Sequence, residues 1–249
     1  MNENKDKTSF YGETFQQKSK NIKGVERAAS MSDRKQPDLY KTYQNVLSRI
    51  SLPEPQFSDD IKLWDTIKNR HTTRAFSNDP ISMMDLSLLL FAISGLTRKF
   101  PKFAFRTVPS AGGLFPIETY GVVNNVSDLN QGIYHYDIEN HALEYLKEGD
   151  FSKELSNACY GQRMVAKSAL NFIWTAVIER NRATYKERAY RYIYLDGGHI
   201  GQNFYLAAEA LGLNACVVGA YYDDDINEFL DLDEKLEFAI YMGVVGKKK

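Results

Sequence analysis

Residues 109–123 read Pro109-Ser110-Ala111-Gly112-Gly113-Leu114-Phe115-Pro116-Ile117-Glu118-Thr119-Tyr120-Gly121-Val122-Val123, a run of small residues set directly against a strand pattern. Proline and two glycines make Pro109 to Gly113 a loop. Ile117 to Val123 is rich in β-branched and aromatic residues and reads as a strand. Upstream, Ser82 is followed three residues later by Asp85 and then by an apolar run to Ile93. That is a capping-box pattern opening a helix, and Gly95 supplies its C-terminal stop. Helices and strands interleave here without clean βαβ alternation, so the fold class is α+β.

The same mixture extends in both directions. Gly132 to Tyr136 and Ala142 to Leu146 form a hairpin pattern about the turn at Glu139-Asn140. Leu170 to Ile178, Ala215 to Gly219 and Phe238 to Val245 read as strands. Asp196 to Ala210 reads as a helix with Ile200, Phe204, Ala207, Ala208 and Leu211 on one side and Gly212 closing it. Asp223-Asp224-Asp225 precede a short helix with Ile226, Phe229 and Leu230 inward. Ile61, Trp64 and Ile67 suggest a short helix leading into Arg70-His71-Thr72-Thr73-Arg74. Leu39, Tyr43, Val46, Leu47 and Ile50 repeat at helical spacing and predict another helix, broken by Leu52-Pro53-Glu54-Pro55. Residues 1 to about 36 are polar and lysine-rich, and are expected to form a mobile or partner-wrapping arm. The expected division is an N-terminal arm with a short helix over 1–56 and one domain over 57–249.

Composition narrows the function classes. The chain has 249 residues, 43% hydrophobic and 25% charged, with a formal net charge of -1, which fits one ordinary globular core. There is no basic excess to suggest a nucleic-acid partner or an anionic membrane surface. No apolar signal segment or membrane-spanning stretch is evident, so the expected location is cytoplasmic. Cys159 and Cys216 cannot make a disulfide framework, and Cys216 lies in an apolar run as a small buried hydrophobe.

Several chemistries lack their motifs. No G-x-G-x-x-G follows a strand, no Walker A sequence occurs, and Ser110 is not in a G-x-S-x-G elbow. The four histidines, His71, His135, His141 and His199, show no metal-ligand spacing. Three constellations could hold a planar anion. Arg70 to Arg74 offers two guanidiniums and hydroxyls for a phosphate, against the plainer reading of a solvated basic turn. Pro109 to Gly113 lets backbone N–H groups approach a ligand. Arg180 to Arg191 contains Arg180, Arg182, Tyr185, Lys186, Arg188, Tyr190 and Arg191. Its plain reading is an exposed helix with a solvated basic face. The functional reading places a phenol beside an ammonium, a pair suited to accept a proton, with cations that stabilise a reduced flavin.

In this order the segments resemble the SagB-type dehydrogenases, the azoline-oxidising branch of the FMN-dependent nitroreductase superfamily. The matching stretches are RHTTRAF (70–76), ISMMDLSLLLFAISG (81–95), RTVPSAGGLFPIETY (106–120), GIYHY (132–136), RAYRYIYLDGGHIGQN (188–203) and LGLNACVVG (211–219). The resemblance implies a nitroreductase-like fold, a central mostly antiparallel sheet flanked by helices, in an interdigitated homodimer with FMN at the interface. It assigns Arg70, His71, Thr72 and Arg74 to the FMN phosphate and ribityl chain. Pro109, Ser110, Ala111 and Gly112 would approach the isoalloxazine from the opposite subunit. Gln202 and Asn203 would lie beside the flavin, Val218 and Gly219 would present backbone to the ring, and Lys247 would reach the phosphate.

The sequence departs from that family at one place. The azoline dehydrogenases carry a Lys-Tyr pair just before the segment matching Arg188 to Arg191, whereas here Tyr185 follows Thr184 and precedes Lys186. Either Lys186 takes the lysine's role beside Tyr185, or another base serves. The leading expectation is dehydrogenation of an azoline ring or related bond in a peptide or natural-product precursor, with O2 reoxidising the flavin. No cyclase segment is present, so a separate cyclase would make the ring, in a peptide-modifying complex. The alternatives are an NAD(P)H-dependent nitro or quinone reductase, and a flavin-binding scaffold subunit. Lys99 to Phe105 and Arg180 to Lys186 are expected to carry substrate selectivity.

Overall fold

Strand Ile117–Val123 (β4) lies at the middle of the sheet in a computed structural model that describes residues 11–24, 38–100 and 103–249. Among the described residues the main sheet also holds Ser48–Ser51 (β1), Gly132–Asp137 (β5), Ala142–Glu148 (β6), Leu170–Val177 (β7), Leu213–Val218 (β8) and Glu237–Lys247 (β9). The strand order is β1-β6-β5-β4-β7-β9-β8, and every neighbouring pair is antiparallel. A separate two-stranded ribbon pairs Leu96–Lys99 (β2) with Ala104–Arg106 (β3). Residues 101–102, within the stretch expected to carry selectivity, lie outside the described residues.

Both faces of the sheet are covered, which explains why β4 and β7 read as nearly continuous apolar runs. One face buries Phe172, Trp174, Tyr134 and Tyr136 against Met83–Ser94 (α3) and Ala189–Ala210 (α7). The other buries Val122, Ile133, Ile173 and Met242 against Ser152–Ala158 (α4), Arg163–Lys167 (α5) and Asp223–Phe229 (α8). The capping box forms as expected: Ser82 Oγ accepts from Asp85 N and Asp85 Oδ2 from Ser82 N, satisfying two donors at the start of α3. Helix α7 starts seven residues earlier than its periodicity suggested. It presses on β9 at Gly201, where a Cβ would stand 2.9 Å from the Tyr241 ring.

The helix expected over Leu39 to Ile50 does not form. Residues 38–47 contain no helix, and Ser48–Ser51 is the edge strand of the sheet. Ile50 pairs with Leu143 and Arg49 with Glu144, so β6 claims backbone groups that the periodicity had allotted to a helix. The sheet therefore begins upstream of residue 57. Within the expected arm, residues 1–10 and 25–36 lie outside the described residues, while Tyr11–Lys18 is a helix (α1). Two more helices complete the order, Leu63–Asn69 (α2) and Ile178–Tyr185 (α6). Among the described residues no helix is long and apolar enough to cross a membrane, and no cluster could hold a metal ion.

Candidate functional site

Residues 70–77 leave α2 and run beside β8, the last strand of the sheet. Thr73 N donates to Ala215 O (2.9 Å), Asn214 Nδ2 to Ala75 O (2.8 Å) and Ser77 N to Lys247 O (3.0 Å). Tyr205 of α7 gathers this cluster. Its hydroxyl lies 3.0 Å from Thr72 Oγ1 and accepts from Val217 N at 2.9 Å, with the Arg70 guanidinium 5.2 Å over its ring. Arg74 is exposed and adjoins the Cys216 thiol, whose pKa is raised by burial against the opposing pull of Arg74 and Tyr205. Among the described residues the neighbours identified for both guanidiniums are neutral groups, which suits them to an anion. His71 is exposed, with Nδ1 2.8 Å from Asn69 O. Lys247 joins the strip through its backbone, but its Nζ pairs with Asp85 Oδ2 at 2.9 Å.

Of the other expected contacts, Gln202 is exposed on α7 and Asn203 Nδ2 donates to Ala92 O of α3 at 2.9 Å. Val218 is buried at the end of β8, and Gly219 just beyond it is exposed. A Cβ at Gly219 would meet nothing nearer than Tyr241 at 3.9 Å, and at Gly113 or Gly198 nothing at all within 4 Å. The backbone at these glycines is open to close approach by a flat ligand.

Pro109 to Gly113 is tied to the other end of α7. Ser110 Oγ donates to Asp196 Oδ2 (2.6 Å), Ala111 N donates to Asp196 Oδ1 (3.2 Å), and Phe115 N donates to Ser110 Oγ (3.0 Å). Burial raises the Asp196 carboxyl pKa, and the Ser110 and Ala111 donors restrain that rise. The loop closes in a 3-10 turn, Ala111–Gly113, with Gly112 at φ +66°. A Cβ on Gly112 would stand 2.5 Å from the Tyr185 hydroxyl, so the phenol fills the space that the glycine leaves. Tyr185 also packs edge-on against Tyr192, 4.6 Å between ring centroids. Lys186 follows at φ +53°, where the chain turns from α6 toward α7.

The Arg180 to Arg191 stretch is therefore not one solvated basic face. Arg180 is buried, its Nη1 on Glu118 and on Phe115 O (3.3 Å) and its Nε on Asp38 O (3.0 Å). Arg188 Nη1 donates to Ser19 O (2.8 Å), while Arg191 donates to Gln16 O (2.6 Å) and Ser19 Oγ (2.7 Å). These two arginines cap the C-terminal end of α1, where the helix dipole favours cations. In this stretch Tyr185 touches the glycine loop at Gly112, and Arg180 reaches the carbonyl of Phe115 just beyond it.

Glu118 belongs to a buried polar chain that the sequence reading missed. His135 bridges Glu144 (2.9 Å) and Glu118 (3.2 Å), and Arg49 reaches Glu144 at 2.6 Å. Burial alone would raise the Glu118 pKa, but Arg180, His135 and Arg106 bring it down to about 2. His135 would fall on burial, yet the two carboxylates hold it above its ordinary value. Lys41 Nζ adds 2.6 Å contacts to Glu237 and to the Tyr120 hydroxyl. Tyr205 and Asp196 were also missed, although both lie in or beside the quoted RAYRYIYLDGGHIGQN stretch. Nine residues separate them, about 13 Å along α7. One chain thus carries two separate clusters: Arg70–Arg74 with Tyr205, and the glycine loop with Asp196 and Tyr185.

Comparison with known proteins gives a consistent family. Residues 67–247 match the model for the nitroreductase family. The chain is 35% identical over 199 residues to a Methanocaldococcus jannaschii protein described as a nitroreductase, covering 80% of this chain and 96% of that one. It is 32% identical over 147 residues to the trifolitoxin-processing protein TfxB of Rhizobium leguminosarum bv. trifolii, covering 57% of this chain and 39% of TfxB. A nitroreductase crystal structure from Anabaena variabilis superposes with a TM-score of 0.73 at 28% identity, covering 94% of this chain and 45% of that one.

Proposed function

The chain belongs to the nitroreductase family, a family of oxidoreductases, and from that membership we propose that it is an FMN-dependent enzyme that dehydrogenates an azoline ring or related bond in a peptide or natural-product precursor. The carrying observation is the Tyr185 hydroxyl seated on Gly112. It sets a proton acceptor beside the loop that approaches the flavin ring in this reading. The similarity to a trifolitoxin-processing protein supports a peptide-type substrate.

The residues fit FMN by their chemistry. Arg70, Thr72 and Arg74 supply charge and a hydroxyl for a phosphate, and Gly113, Gly198 and Gly219 leave room for a planar ring. When bound, FMN supplies a two-electron acceptor that O2 reoxidises. The chain's own part is to remove a proton from the substrate carbon, assigned to Tyr185 with Lys186 beside it in sequence. Ser110 and Asp196 keep the loop in place while this occurs.

The two clusters, tied to α7 at Tyr205 and at Asp196 and read as half-sites, support a homodimer in which one subunit's Arg70–Arg74 meets the other's Pro109–Gly112. An apolar groove of about 330 Å3, lined by Phe57, Ile61, Phe91, Ala207 and Ala210, continues toward exposed Leu63 and offers a surface for that second copy. A cyclase partner follows from the substrate proposed.

A second reading, NAD(P)H-driven reduction of a nitro or quinone acceptor, is favoured by the similarity that spans 96% of the M. jannaschii protein. Anaerobic mixing of the flavin-loaded protein with NADPH or NADH separates the two: rapid bleaching supports the reductase, indifference the dehydrogenase. Arg74→Ala should weaken FMN retention, and full occupancy would remove Arg74 from the clamp. Tyr185→Phe should keep FMN but depress turnover, and unchanged turnover would reject Tyr185 as the base.

A further inference from the structure

Arg180 and Tyr185 stand on the same short helix, α6, and both touch the 109–115 loop, Tyr185 at its middle and Arg180 at its end. Tyr185 covers Gly112, while Arg180 donates to the carbonyl of Phe115. We infer that Arg180 is a positioning residue: it locks the strained turn at Phe115 and so holds the Pro109–Gly113 loop in register with Tyr185 and Asp196. The inference deepens the functional reading above and rests on it only for what the loop is for.

Phe115 is held at each of its groups. Its φ is +45°, a backbone state that a bulky residue rarely adopts and that persists only where its surroundings impose it. Its N–H goes to Ser110 Oγ, its ring lies 4.8 Å beneath the Arg106 guanidinium, and its carbonyl takes Arg180. Ser110 Oγ in turn donates a hydrogen bond to Asp196 Oδ2. A continuous chain of hydrogen bonds therefore runs from Arg180 through Phe115 and Ser110 to α7.

Only a guanidinium fits this post. Arg180 serves Glu118, Phe115 O and Asp38 O at once, in directions that match its planar fork. A lysine ammonium would keep the charge opposite Glu118 without reaching all three. Arg106 adds a weaker link, Nη2 to Leu39 O at 3.4 Å. Residues 38–39 are thus bound by the same pair of buried arginines that fixes Phe115. The two arginines tie the chain before β1 to the turn at Phe115.

The test compares Arg180→Lys with the charge-balanced double variant Glu118→Gln/Arg180→Met, which leaves no carboxylate uncompensated at that pair if the lysine variant folds poorly. Lys41→Gln is the control, since it disturbs the same polar face without touching Phe115. Amide hydrogen exchange of residues 110–116 and FMN affinity by fluorescence titration are read on full-length protein. In both Arg180 variants, exchange over 110–116 should accelerate about tenfold while β7 and α7 keep their protection, and the FMN Kd should rise about tenfold. The control should leave both unchanged. Loop exchange at the wild-type rate, or acceleration spread evenly over β7 and α7, would reduce Arg180 to a fold-stabilising ion pair and overturn the inference. A loop that loosens selectively in a protein that takes up no FMN would uphold the role of Arg180 and refute the functional reading instead.

Discussion

At Gly112 a side chain would have to be carried at φ +66° and would meet the Tyr185 hydroxyl at 2.5 Å. Gly112→Ala should therefore cost about 1–2 kcal/mol in stability and displace the phenol. Thermal unfolding and turnover measured together would check this, and a variant with wild-type values for both would deny the contact. At the opposite half-site, Tyr205→Phe removes a hydroxyl shared by Thr72 and Val217 N. It should cost about 1 kcal/mol and raise the FMN Kd; an unchanged titration curve would take Tyr205 out of the clamp. The glycine loop was legible because its residue types have few other uses. Tyr205 and Asp196 were not, because each is one polar residue in a helix pattern that already accounts for it. Arg180 shows the limit from the other side. Nothing local to a basic stretch says which guanidinium a carboxylate on a strand 62 residues earlier will bury.

Helix α3 gives the most local of the element-scale expectations. Ser82→Ala should lower stability by about 1 kcal/mol by unmaking the capping box, and an unchanged melting temperature would contradict it. The β4–β5–β6 polar chain sets a pH dependence. Glu118 has a folded pKa near about 2, below its ordinary value of 4.5, so its contribution is complete above 4.5 and is lost as pH falls toward about 2. Glu144 shifts in the same direction. His135 is raised above 6.5, so its contribution is complete below 6.5 and is lost as pH climbs through its folded value. The urea midpoint should therefore peak between about pH 5 and 6.5 and fall on both sides; a flat profile would refute the coupling. Element type was readable wherever a run was long and its caps local, as in α3, β4 and β7. It failed over 39–50, where helical spacing was real but short. There an edge of β6 and the carboxylate of Glu144 were the stronger partners for Arg49 and its neighbours.

Among the described residues, an apolar surface around α2 is unusually bare: Trp64 is 77% exposed, Phe57 70% and Leu63 60%. In the homodimer proposed above, a second copy covers it. Trp64→Glu should accordingly shift the protein toward monomer in sedimentation and release flavin, and a flavin-loaded monomer would contradict the shared-site arrangement. The antiparallel sheet and its family could be read from ordered motifs, but the ties of the glycine loop to Asp196 and of Thr72 to Tyr205 could not, since they join segments far apart in the chain. The central claim, that this scaffold holds FMN, is tested most directly by the visible absorbance spectrum of the full-length protein after incubation with FMN and desalting. A retained flavin spectrum, weakened in Arg74→Ala, is the expected result. A colourless protein that cannot be loaded with FMN would contradict the account.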